Sequence, residues 1–206
     1  MSKIFYEFNE QLNRQRKVYD LLIHYTAAYF NDSGEWVKGT WCGSDGGPGL
    51  RERLWYAMAY FASGNEKMRD IANAIIVSSK WSFCHFAPMA SLQIIIKYDE
   101  LLDEKAKKAI NAYLESVLDE FSGEHFDFIG VNDNFPSMAT YTALFGGKLF
   151  NRPELYSIGV KRLEQLKSLL TRRGVLTEYT SPTYTPISTY AMAEIANYIN
   201  DEKIRD

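Results

Sequence analysis

Residue types that can carry acid–base chemistry or bind a ligand are concentrated in four stretches of this sequence. Carboxylates, imidazoles and phenols can transfer protons in a reaction, and a side-chain amide can hydrogen-bond a carboxylate. Long connections between regular elements are more often functional than short ones. The four stretches cover about residues 31–49, 80–87, 122–135 and 173–185, and their candidate residues are Trp41, Asp45, Trp81, His85, His125, Asn132, Asp133, Asn134, Glu178, Tyr179 and Tyr184.

Each candidate also has a structural interpretation. Asx side chains such as those at 132–134 cap helices by accepting backbone N–H bonds. Glu178 could be solvated, or it could act as an acid, a base or a nucleophile. His85 and His125 fit buried imidazoles with satisfied hydrogen bonds as well as catalytic groups, and the two tyrosines fit the core as well as a site.

The sequence predicts no metal and no cofactor. Cys42, Cys84 and His85 stand in the long stretches, but their spacing matches no metal-binding motif. The glycine-rich run 43–47 matches no phosphate-binding pattern. Arg172 and Arg173 stand at the end of a predicted helix, where the helix dipole favours cations, and this interpretation is preferred to substrate binding.

Helical periodicity runs through most of the chain. Between Ala106 and Phe121, apolar residues recur three or four positions apart, which is the pattern of a helix with one buried face. Pro153 and Gly174 mark the start and the end of another helix. The pattern predicts no strand and eight helices, at about residues 4–30, 50–63, 66–79, 88–99, 103–121, 136–149, 153–172 and 186–200.

The predicted helices are of two alternating kinds. Helices 88–99, 136–149 and 186–200 are short and carry few charges, which favours an inner position. Helices 103–121 and 153–172 have one charged face, which favours an outer position. Each inner helix follows a long connection, so antiparallel succession should bring all the long connections to one end. A repeat of about 40–50 residues is typical of a helical-hairpin array, predicted here as one domain over 1–206.

Composition narrows the possible partners. The formal net charge is −3, so no basic surplus exists to bind nucleic acid. No apolar run approaches the ~18 residues that a membrane span needs. The N-terminal residues lack the pattern of a signal peptide, and two cysteines are too few for a disulfide scaffold. We therefore expect a cytoplasmic protein that contacts neither nucleic acid nor membrane.

The third and fourth stretches resemble the heparinase II/III-like polysaccharide lyases. The similarity is carried by the run NDNFPSMA at 132–139 and the run EYTSPTY at 178–184. These lyases have an (α/α) toroid domain, an Asn at the head of one inner helix and a Glu-x-Ser-Pro-x-Tyr segment before the next. The resemblance implies an all-α fold, here an incomplete (α/α) toroid of about four helical hairpins.

The same resemblance implies roles for two residues. Asn134 matches the Asn that neutralises the carboxylate of a uronic acid, and Tyr184 matches the Tyr that acts as general acid. β-Elimination removes a poorly acidic proton beside a carboxylate, so hydrogen bonds that stabilise the developing charge lower the barrier. A tyrosine can then protonate the leaving glycosidic oxygen.

Three functions remain open at this point. The leading hypothesis is a lyase that cleaves uronic-acid-containing polysaccharides or oligosaccharides. The second is a glycoside hydrolase that uses a carboxylate pair, Asp133 with Glu178, and keeps Asp45 as a spare. The third is a sugar-binding or interaction module without catalysis, whose uncovered apolar flank would be covered by a second copy or by a missing C-terminal β-domain.

Overall fold

The chain is all-helical. The computed structural model describes residues 8–39, 47–201 and 204. In that part of the chain there is no strand, and the only ladder-type contact is a single antiparallel bridge between Phe30 and Trp36. The α-helices described are α1 (Phe8–Thr26), α2 (Leu50–Ala62), α3 (Glu66–Ser78), α4 (Ala87–Tyr98), α5 (Glu104–Val117), α6 (Asn134–Leu149), α7 (Pro153–Arg173) and α8 (Tyr184–Tyr198).

The sequence pattern located these helices well. From α2 onward, every predicted boundary lies within four residues of the observed one. α6 and α8 each begin two residues before the predicted start, so that Pro136 and Pro186 fall in the first turn. Proline is tolerated there because the first N–H groups of a helix have no partner inside the helix. The predicted end of α5 was too late, since a short 3-10 helix, Leu118–Ser122, follows it.

The chain divides into two compact units, which are described separately. Unit 1 comprises Met1–Ser82 and Ile94–Ile110, and unit 2 comprises Phe83–Gln93 and Asn111–Asp206. Both units are helical within the described residues. The prediction of one domain over 1–206 stays a prediction, and so does the incomplete toroid. No helix among the described residues combines the length and the apolar character needed to cross a membrane.

Unit 1 is built on the pairing of α2 with α3. Buried apolar residues of both helices, among them Leu54 and Ile75, form its core. The Tyr60 hydroxyl donates to the backbone carbonyl of Thr26 at 2.7 Å and so ties α2 to the end of α1. Asn73 of α3 donates from Nδ2 to the Leu101 carbonyl at 3.0 Å, which fixes the turn after α4.

Unit 2 is built around α6. Of its 16 residues 13 are buried, as expected for an inner helix. A Cβ on Gly147 would lie 2.6 Å from the backbone nitrogen of Tyr156, and a Cβ on Gly159 would lie 2.8 Å from Leu144. These glycines let the antiparallel helices α6 and α7 pack closely. α7 keeps a charged face in solvent, so the predicted inner and outer positions of these two helices are confirmed. The inner position predicted for α8 is not, since only four of its 15 residues are buried.

Candidate functional site

The loops that precede α6 and α8 are joined through the carboxylate of Glu178. Its Oε2 accepts hydrogen bonds from the backbone N–H groups of Asp133 at 2.8 Å and Asn134 at 3.0 Å. The Asn134 side chain also donates from Nδ2, at 3.0 Å to Oε2 and 3.2 Å to Oε1. In return, the Glu178 N–H donates to Asp133 Oδ2 at 3.1 Å. We call this set of contacts among Asp133, Asn134 and Glu178 the Glu178 clasp.

The clasp caps α6 from a distant part of the chain. The first N–H groups of a helix need outside acceptors, and the helix dipole favours a negative charge there. A local Asx cap was one interpretation of residues 132–134, yet Asp133 stands at the cap position without a side-chain hydrogen bond to the helix. Glu178, 45 residues later than Asp133, supplies the carboxylate instead. Sequence reasoning missed this cap because a long-range acceptor leaves no local pattern.

Tyr184 begins α8 beside the same clasp. Its backbone N–H donates to Ser181 Oγ at 2.9 Å, which caps the start of the helix. The hydroxyl of Thr185, the next residue, donates to the backbone carbonyl of Glu178. α6 and α8 pack against each other. Asn134 and Tyr184, the two residues singled out by the resemblance, therefore stand at the heads of neighbouring helices.

Access to solvent differs strongly across this site. Asp133 is 0% exposed and Asn134 is 4% exposed, whereas Tyr184 is 45% exposed. The Oδ1 atoms of Asp133 and Asn134 are buried and have no hydrogen-bond partner in the described part of the chain. Exchanging O and N of the Asn134 amide would set two acceptors against each other, so its Oδ1 faces away from Glu178. Tyr184 offers a ligand the most accessible surface of these residues.

His85 lies among aromatic rings close to the start of α6. Its ring centroid is 4.4 Å from that of Phe135 and 5.5 Å from that of Phe126. Nδ1 is buried and has no partner among the described residues. Burial, and then the charge of His125, lowers the pKa of His85 below its ordinary value of 6.5. The imidazole is therefore neutral at pH 7. It also lies close to Asn134, because its ring neighbour Phe135 directly follows Asn134 in the chain.

Arg162 of α7 anchors the segment that leads into the site. This side chain is 0% exposed and donates to the backbone carbonyls of Phe121 at 2.7 Å and Gly123 at 2.8 Å. Its Nε donates to Asp127 Oδ1 at 3.2 Å. Burial acts to raise the pKa of Asp127, but hydrogen bonds, first that from Gln165, outweigh it and lower the pKa. The result is a buried ion pair that sequence analysis did not single out.

The other candidates lie partly inside and partly outside this site. His125 is exposed and its ring packs 4.1 Å from that of Phe126. Asn132 is half-buried, and its Oδ1 has no partner among described residues. Tyr179 directly follows Glu178 and is exposed. In unit 2, then, the structure brings together candidates from the second, third and fourth stretches.

The candidate residues of the first stretch cannot be placed relative to the Glu178 clasp. Trp41 and Asp45 lie outside the described residues, and so does Cys42. Trp81 is half-buried in unit 1. Within the part of the chain that the structure describes, no group of three His, Cys, Asp or Glu residues is placed to hold a metal ion.

Comparison with known proteins places the chain in a family. Residues 79–205, more than half of the chain, match the model of a family described as a domain of unknown function, DUF8769. The chain belongs to that family, and the match includes every described residue of unit 2 and hence the Glu178 clasp. No curated protein and no solved structure matches the chain.

Proposed function

We propose that the loop end of unit 2 binds uronic-acid-containing glycans and cleaves them by β-elimination, on a scaffold that is an incomplete (α/α) toroid. The observation that supports this proposal is the Glu178 clasp. It links the head of α6, where Asn134 lies, to the loop that leads to Tyr184 at the start of α8. The resemblance implies an Asn at the head of one inner helix and a Tyr in the segment that leads into the next.

Each residue has a defined part in the reaction. A base removes the proton on the carbon beside the uronate carboxylate, and the electron pair forms a double bond to the next ring carbon. The bond from that carbon to the glycosidic oxygen breaks, and the oxygen takes a proton from the Tyr184 phenol. His85, kept neutral by its lowered pKa, is the candidate base. Hydrogen bonds to the substrate carboxylate stabilise the negative charge that develops during proton removal.

The engagement of Asn134 favours a second candidate function. Its Nδ2 and backbone N–H already donate to Glu178. A substrate carboxylate therefore has to share Nδ2 with Glu178 or displace Glu178 from it. A site that holds its own carboxylate in this way also suits a module that binds glycans without cleaving them, which is the alternative.

The hydrolase hypothesis receives less support. A glycoside hydrolase needs two carboxyl groups that both reach the scissile bond, about 5–10 Å apart. Asp133 is 0% exposed and the Glu178 carboxylate is held by the start of α6. This pair is arranged to fasten two loops, so we do not extend the proposal to hydrolysis.

The test is a lyase assay on heparin-, chondroitin- and alginate-type oligosaccharides, followed by the ultraviolet absorbance of the unsaturated product. We expect product with the natural protein and a rate at least ~100-fold lower with Tyr184→Phe, since a positioned general acid contributes about that much. Asn134→Ala should also be impaired. Tyr25→Phe, an exposed tyrosine of unit 1, is the matched control and should keep the natural rate.

Two results would overturn the proposal. Natural rates in both Asn134→Ala and Tyr184→Phe would remove these residues from the mechanism. Absence of absorbance on every substrate, with calorimetry still showing glycan binding, would leave the binding module as the function. New reducing ends without absorbance would identify a hydrolase.

A further inference from the structure

The guanidinium of Arg173 is seated on a glycine at the rim of the candidate site. Gly130 has φ +81°, and the point where its Cβ would stand lies 3.1 Å from Arg173 Nη2 and 3.2 Å from Nη1. With a side chain at this position, the guanidinium would have to shift by a few tenths of an ångström. We call this position of the Arg173 guanidinium beside Gly130 the glycine seat. It depends on glycine both for the backbone conformation and for the space.

Arg173 connects the two loops that the clasp fastens. Its guanidinium lies beside Gly130 of the loop before α6, and its Nη1 donates at 3.3 Å to the hydroxyl of Thr177 in the loop before α8. Thr177 directly precedes Glu178. The side chains on either side of Gly130, Ile129 and Val131, are 72% and 74% exposed, so this rim is open to solvent.

The positive charge of Arg173 is not neutralised locally. Arg173 and Arg172 are both exposed, and neither forms an ion pair among the described residues. The carboxylates of the same region are engaged elsewhere: Asp127 pairs with Arg162, and Glu178 accepts the bonds of the clasp. An exposed guanidinium without a carboxylate partner is suited to bind an anionic group in bidentate fashion.

We propose that Arg173 is a specificity-determining residue that binds a carboxylate or sulfate of an acidic glycan, on a sugar unit next to the one at the clasp. This inference rests on the proposed function, because it assumes that the glycan lies at the same loop end. A cation at a helix C-terminus also interacts with the helix dipole. That account applies equally to Arg172, which donates to the Ser168 carbonyl of its own helix and has no glycine seat.

The experiment compares Arg173→Gln with Arg172→Gln, which removes the same charge one residue away. Calorimetry would measure binding of a chondroitin-sulfate-type hexasaccharide and of a neutral cello-hexaose, with circular dichroism to verify folding. We expect roughly 10- to 100-fold weaker binding of the acidic chain by Arg173→Gln, as for the loss of a charge-assisted hydrogen bond. Arg172→Gln should change it by no more than about threefold. Binding of the neutral chain should be the same in all three proteins.

A second variant tests the seat without changing the charge. Asn tolerates positive φ, so Gly130→Asn keeps the turn and places a side chain against the guanidinium. It should weaken acidic-chain binding, but by less than Arg173→Gln, because the charge is kept. Equal losses in Arg172→Gln and Arg173→Gln, or natural affinity in Arg173→Gln, would overturn the proposal. Binding that depends on Arg173 without any β-elimination would support the Arg173 site and contradict the proposed reaction. β-Elimination together with natural affinity in Arg173→Gln would support the reaction and contradict the Arg173 site.

Discussion

Each unit holds one of its loops with a single arginine, but the two arginines use different partners. In unit 1, Arg53 donates to the Gly34 carbonyl at 2.7 Å and to Ser79 Oγ at 2.9 Å. In unit 2, Arg162 donates to two backbone carbonyls and also to the carboxylate of Asp127. Arg53 is half-buried, whereas Arg162 is 0% exposed.

The difference shows why only one of them needs a counter-ion. A guanidinium that keeps some contact with water can be held by neutral acceptors, because solvent offsets part of its charge. A guanidinium that has lost all such contact requires a paired carboxylate. Removing one member of a buried pair leaves the other charge uncompensated. The loop that leads into the candidate site therefore depends more strongly on its arginine than the loop of unit 1 does.

The largest expected effect is that of Arg162→Met. It should lower the free energy of unfolding of unit 2 by about 3–5 kcal/mol, because the carbonyls of Phe121 and Gly123 lose their donor and the largely buried carboxylate nearby keeps only an exposed lysine as a cation. Arg53→Met should cost only about 1–3 kcal/mol, the range for buried acceptors that lose their donor. Urea unfolding followed by circular dichroism measures both.

Lys161→Met is the control within unit 2. Lys161 binds the same carboxylate as Arg162, at 3.2 Å, but its side chain is 57% exposed. Its loss should cost under about 1 kcal/mol, as for other surface ion pairs. If Arg53→Met were as damaging as Arg162→Met, burial of the pair would not be the reason for the difference.

A smaller effect is expected from the glycine that Arg53 holds in unit 1. Gly34 has φ +73°, and a Cβ there would lie 2.2 Å from the backbone carbon of Ala74. Gly34→Ala should cost more than about 2 kcal/mol, since the strain of a left-handed conformation adds to this clash. Gly64 has φ +68° with open space around it, so Gly64→Ala isolates the conformational part, about 1–2 kcal/mol. Equal thermal shifts in the two variants would contradict the clash.

The smallest effect concerns pH and belongs to unit 2. The pKa of His85 is below 6.5 in the folded chain, so the unfolded chain binds more protons in mild acid. The stability that the neutral imidazole contributes is full above pH 6.5 and is lost as the pH falls through the folded pKa. His85→Gln should therefore show a flatter decline of unfolding free energy between pH 7 and 5 than the natural protein. An identical slope in both proteins would show that other groups control the acid response.

Local patterns predicted the helices because their signals are local. The apolar stripe of α5 and the Pro153 and Gly174 boundaries of α7 depend on residues a few positions apart. The candidate residues in the loops before α6 and α8 were found from their residue types, their position in long connections and the family resemblance, and the structure does bring Asn134 and Glu178 together. The roles assigned to them remain predictions.

Local sequence patterns did not predict which polar side chains are buried or which residues they pair with. Asp133 was a candidate site residue and one carboxylate of the hydrolase pair, yet it is fully buried. Arg162 stands in the apolar stripe of α7 between Leu155 and Leu166, which was the available sign that it is buried. Its partner Asp127 lies 35 residues earlier, and nothing in the local sequence identifies it.

By itself, the sequence determined that the chain is helical, where the helices from α2 onward begin and end to within four residues, and that α6 lies inside while α7 keeps a charged face in solvent. These properties follow from the spacing of apolar residues and from local backbone preferences. Only the tertiary structure decided that Glu178 caps α6, that Arg162 needs Asp127, and that Arg173 rests on Gly130. Each of these contacts joins residues about 35–45 positions apart, and no periodic pattern encodes such a pairing. The loops of the candidate site take their geometry from these pairings.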